Sequence, residues 1–127
     1  MTYTITYNSS ENTFEIETQG DFDVAVFKKL AEELLHHQQW QPGSNCIFDY
    51  RKTDFMQVGQ KEFQAVSNLH QANNALVGRG KSAFVMKSRS NFGMGRMYES
   101  ITSPHVDTEF KIFTDIADAR AWIKSAG

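Results

Sequence analysis

The sequence has one cysteine, two prolines and no apolar run long enough to span a bilayer. Cys46 therefore has no partner for an intramolecular disulfide, and packing alone must hold the chain, which suits a reducing compartment. An excess of one charge is also missing: 13 Lys and Arg against 15 Asp and Glu give a formal charge of -2. That balance makes no field for a phosphate backbone and argues against nucleic acid as a partner. Met1 to Tyr7 alternates polar and apolar residues instead of running apolar after basic ones, so no signal peptide is expected and the expected location is the cytoplasm. What the chain does have is aromatic volume, with 10 Phe, 4 Tyr and 2 Trp in 127 residues. A globule of this size hides roughly two thirds of its unfolded surface. No linker, repeat or low-complexity tract divides the sequence, and a single domain over residues 1–127 is expected.

Periodicity supplies the elements. Tyr3, Ile5 and Tyr7 alternate with Thr4 and Thr6, and after the polar turn Asn8 to Asn12 the alternation resumes at Phe14 and Ile16, which predicts a hairpin. Asp21 or Asp23 can cap a helix with Phe27, Leu30, Ala31, Leu34 and Leu35 inward, ending at Pro42-Gly43. Cys46 to Tyr50 and Ser82 to Met86 read as central strands covered on both faces, and the thiol of Cys46 as a buried, inert one. A second helix starts between Thr53 and Gly59 and turns Phe63, Val66 and Leu69 inward. A third follows the cap Ser90-Asn91 with Met94, Met97, Tyr98 and Ile101 on one face. Phe110, Ile112 and Phe113 make a last strand, and Asp115 caps a final helix burying Ile116, Ala119, Trp122 and Ile123. The order ββαβαβαβα predicts an α/β fold: a single mixed, mainly parallel sheet flanked by helices on both faces, with the first hairpin as its antiparallel edge.

Five segments carry a family resemblance: Cys46-Ile47-Phe48-Asp49-Tyr50-Arg51, Lys81 to Met86, Asn91 to Glu99, Phe110 to Asp115, and Ala119 to Ile123. Their order and spacing resemble the SpoIIAA-like proteins of bacteria, which share the STAS fold. The resemblance covers nearly the whole chain and implies a non-enzymatic module, in a branch whose members are thought to bind apolar ligands or associate with membranes. Anti-sigma-factor antagonists of the STAS group carry a phosphorylated serine in an Asp-Ser-x-Gly setting. Here the matching stretch, Arg51 to Gly59, holds Thr53 and no such serine, so serine-driven partner switching is not expected.

In open α/β sheets, ligands sit outside the carboxyl ends of the strands. Two segments are expected there. In the first, Asp49 to Phe55 with Thr53 inside it, Asp49 and Asp54 could accept hydrogen bonds while Arg51 and Lys52 hold an anion; the competing reading is an internal Asp49 to Arg51 or loop-backbone bond that fixes the turn. In the second, Lys87 to Gly93, Ser90 opens a helix whose first-turn amides attract anions, although Gly93 and Gly95 equally allow close helix-to-sheet packing. Met86, Met94 and Met97, with Phe55, Met56 and Phe92, form an adaptable apolar set beside both segments, suited to a greasy ligand or to core packing. Phe55 and Met56, between Lys52 and Lys61, also make a candidate membrane tip at an inner membrane face.

His36 and His37 are adjacent and diverge by about 100° on a helix, His70 stands alone, and no metal site is expected. Nothing ties a nucleophile to a base, so no catalytic residues and no cofactor are assigned. The reading is a non-enzymatic ligand- or partner-binding regulatory module. Its alternative is lipid or small apolar ligand binding with reversible membrane association. The partner would be an unidentified protein or a small apolar molecule, and a homodimer is compatible with either.

Overall fold

The hairpin forms as its alternation predicts. In the computed structural model, which describes residues 1–88 and 91–125, β1 (Thr2–Asn8) pairs antiparallel with β2 (Thr13–Asp21), with Ile5 opposite Ile16. Asn12 takes a left-handed φ of 48° at the turn, and its Oδ1 accepts from the Tyr7 hydroxyl at 2.8 Å. Helix α1 (Val24–Leu35) starts at Asp23, whose carboxylate accepts from the amides of Ala25 and Val26. It ends at Leu35, well before Pro42-Gly43. His36 caps it, and the following loop brings Trp40 and His37 onto Phe14, whose ring lies 5.0 Å from His37.

The remaining elements are β3 (Asn45–Asp54), α2 (Gln60–Ala72), the short α3 (Asn74–Val77), β4 (Lys81–Val85), α4 (Phe92–Thr102), β5 (Glu109–Phe113) and α5 (Ile116–Lys124). The strands run in sequence order, β1-β2-β3-β4-β5, with every pair after the first parallel. Each right-handed crossover thus steps the same way along the sheet, which puts α1, α2 and α4 on one face. α5 follows the last strand, crosses to nothing, and is free to cover the other. The expected cover of both faces is found, three helices against one.

The two faces are packed differently. Ile47, Ala83 and Val85 meet Ala119 and Ile123 of α5 with all five buried. Trp122 is only half-buried on that helix, against Phe113 and under the Lys81 ammonium. On the opposite face, Phe14, Ile16, Leu30 and Leu34 form one cluster under α1, and Tyr50, Phe55, Phe84 and Met86 form another. Gly95 lets α4 lie close to β5, since a Cβ there would come 2.9 Å from Ile112 Cδ1.

Candidate functional site

The sheet has no reversal of strand order, the feature that opens a crevice at the carboxyl ends of the strands in doubly wound folds. The candidate residues instead divide between the two faces.

Asp49 and Arg51 lie on the α5 face as a closed pair, in which Arg51 donates from Nε to Oδ1 and from Nη2 to Oδ2 of Asp49, both at 2.8 Å. Burial would raise the Asp49 carboxyl, but the Arg51 guanidinium and amide bonded to it hold it below the usual range. The strand runs on to Asp54, so these residues are not in a loop. A bulge explains the side chains beyond them: Glu17 pairs with Asp49 but Gln19 with Lys52, so β3 carries one extra residue. Past it the alternation inverts. Lys52 turns to the open face and bonds Glu17 at 3.0 Å, while Thr53 turns inward, buried, its hydroxyl hydrogen-bonded to that of Thr18.

Asp54 closes a local turn, accepting from the Met56 amide at 2.8 Å. The membrane tip needs correction, because Phe55 points into the core, stacked 5.2 Å from Phe22 and edge-on to Tyr50 at 5.3 Å. Met56 alone is outward, 85% exposed. In the second segment Ser90 lies outside the described residues, and Asn91 makes no side-chain cap bond. Phe92 and Met94 are half-buried beside Met86, while Met97, expected inward, is 44% exposed.

Between the sheet and the α1, α2 and α4 layer lies a cavity of about 110 Å³, which Phe55, Met86 and Met94 help to line. Its floor is aromatic: Phe48 stacks on Tyr50 at 5.8 Å, and Phe84 on Phe110 at 5.6 Å. Phe48 sits mid-strand in the central strand, where a side chain is ordinarily sealed, yet it is only half-buried. The cavity therefore opens to solvent. Apolar cavities of about 150 Å³ stay dry and accept guests of benzene size, so this one has the scale of a small apolar group.

Polar groups stand at one side of it. Tyr50 is part of the lining, and burial, then the Tyr98 hydroxyl, raises the pKa of its own hydroxyl. His70, absent from the expected site, is held in a relay. The Thr108 hydroxyl donates to Gly78 O at 3.1 Å and so receives from His70 Nε2 at 3.0 Å, which leaves Nδ1 to accept from Tyr98 at 3.3 Å. Burial lowers the His70 pKa to about 4, keeping the ring neutral near pH 7. Burial also pushes the Cys46 thiol, on the cavity wall, up to about 12, which makes it inert.

Of the residues singled out in the sequence, Phe55, Met86 and Met94 stand in one wall of the cavity, and its floor lies outside that set. The signal was present in the aromatic residues at alternate positions of β3, Phe48 and Tyr50, and in the neighbouring Phe84 and Phe110. Among the described residues, no group of three or more His, Cys, Asp or Glu is placed to hold a metal, and no helix is long and apolar enough to cross a membrane.

No family model matches the sequence, and no curated protein matches it. Among solved structures the chain is similar to an uncharacterized protein of the DUF3478 family, with a SpoIIAA-like fold, from Shewanella loihica PV-4. The TM-score is 0.65 at 17% identity, over 96% of this chain and 92% of that one. The fold of this chain is SpoIIAA-like.

Proposed function

We propose that this SpoIIAA-like chain is a non-enzymatic binding module that takes a small apolar ligand into the cavity between its sheet and the α1, α2 and α4 layer. The observation that carries the reading is Phe48, half-exposed in the middle of the central strand on an aromatic floor. Leaving such a ring open forfeits roughly 25 cal/mol for each Å² of apolar surface left accessible, which an apolar guest would recover. The Tyr50 hydroxyl gives that guest one hydrogen-bonding group to meet. A ligand-dependent regulatory role is the form of the STAS reading that fits. Reversible membrane contact has less support, since Met56 stands alone at the tip.

The test fills the cavity from α1. Ala31 lines it from a half-buried position, so Ala31→Phe should occupy the space without entering the closed core. Native mass spectrometry of protein purified from cells, with a titration of toluene followed by two-dimensional NMR, reads the result. The wild type should carry an apolar adduct or bind toluene, and Ala31→Phe should weaken toluene binding at least tenfold at unchanged stability. A wild type with neither adduct nor toluene binding would overturn the reading.

A further inference from the structure

The two edges of the sheet are guarded differently. β5 presents Glu109 and, at its centre, Lys111, both exposed, the kind of charge that keeps an edge from pairing with another chain. β1, at the other edge, is longer at seven residues, and Thr2 to Asn8 contains no charge and no proline. Among the described residues no strand pairs with its outer side, so a row of backbone amides and carbonyls stands open there.

That strand is also self-complementary. Tyr3-Thr4-Ile5-Thr6-Tyr7 reads the same in both directions. A two-fold axis through Ile5, normal to the sheet, lays a second copy of β1 antiparallel beside the first. Ile5 then meets Ile5, Tyr3 meets Tyr7, and Thr4 meets Thr6 of the second copy. Directly opposite residues of an antiparallel pair point to the same face, so every pair matches in kind. Tyr3, Ile5 and Tyr7 are half-buried at this edge, and Thr4 and Thr6 are exposed, so the apolar row would gain cover while the threonines pair on the open face.

Charge does not oppose the arrangement. Glu15 and Glu17, one strand inward, are bound by Arg120 and Lys52. α1, packed over β1, exposes Lys28, Lys29, Glu32 and Glu33, two of each sign. We propose that the chain forms an isologous dimer through β1, antiparallel and centred on Ile5, giving one continuous sheet with five strands from each copy.

The register makes the proposal testable by paired charges on two exposed residues. In sedimentation velocity across a concentration series, the wild type should dimerise. Thr4→Lys with Thr6→Lys sets lysine against lysine across the axis and should give a monomer. Thr4→Lys with Thr6→Glu sets lysine against glutamate and should restore the dimer at low salt. As a check independent of folding effects, an equimolar mixture of Thr4→Cys and Thr6→Cys chains should cross-link under mild oxidation several-fold faster than either chain alone. A wild type that stays monomeric at millimolar concentration overturns the proposal. So does a dimer indifferent to the paired lysines, or equal cross-linking by the mixture and the single variants.

Discussion

Ile47 and Phe48 are neighbours in β3 with opposite surroundings. Ile47 is sealed between the sheet and α5, 1% exposed, while Phe48 faces the helix layer half-open. The difference follows from how each face is covered. Small side chains at Ala83 and Ala119 let α5 settle directly onto the strands. On the other face large rings pack edge-on and stacked against one another, and α1 and α2 bridge them without filling the middle. One face is built for stability, and the other keeps room.

The strongest way to break that contrast is to truncate both neighbours. Ile47→Ala should cost about 4 kcal/mol in urea melts, because the closely packed α5 face cannot collapse around the void. Phe48→Leu should cost about 1 kcal/mol, since part of the lost volume faces space already open, and should weaken toluene binding. Equal costs would show that the faces are packed alike.

A pH titration separates the faces next, since His70 is half-buried, has a depressed pKa and belongs to the cavity side. Folding holds it neutral with a pKa of about 4, whereas the unfolded chain takes its proton near 6.5. Between these values the unfolded chain binds more protons, so stability rises with pH through this window, is complete above pH 6.5 and falls on acidification. The loss by pH 4 should be about 3 kcal/mol in urea melts at matched salt, and His70→Gln should flatten its share of the slope. An unchanged slope would place the His70 ring in water.

Thr53 tests the inner wall at smaller scale. Thr53→Val leaves the Thr18 hydroxyl buried without its partner and should cost about 2 kcal/mol, whereas Thr18→Val with Thr53→Val should cost less than the single change. The same burial predicts no stoichiometric phosphate on Thr53 after incubation with lysate and ATP, read by phosphopeptide mapping. At the tip outside both faces, Met56→Ser should shift stability by less than about 0.5 kcal/mol. Its effect on co-sedimentation with anionic vesicles at low salt measures whatever membrane attraction the single exposed side chain provides.

The element order was legible because each element carries a period of its own. Caps at Asp23 and Asp115 and the inward rows Phe63, Val66 and Ala119, Ile123 needed only local chemistry. The site was less legible. Asp49 and Arg51 looked like an open anion site, and the local competing reading, a bond between them, is the one found. Phe55 looked exposed because its neighbours in sequence are polar, but it returns inward against Phe22, a residue 33 positions earlier. Thr53 changed sides through a bulge that no pattern in β3 announces.

Sequence alone therefore determined the order of the five strands and the four long helices, that this order demands a mainly parallel sheet, and that β1 is an uncharged palindrome, though not where α1 and β3 end or that the short α3 forms. These depend on contacts between residues close along the chain or on composition. Only the tertiary structure decided which side each helix covers, where the bulge inverts β3, and that three helices spanning a row of aromatic rings leave a cavity above Phe48. Those outcomes depend on how volumes from distant segments fit together, and a linear pattern records which residues turn inward without recording whether they meet.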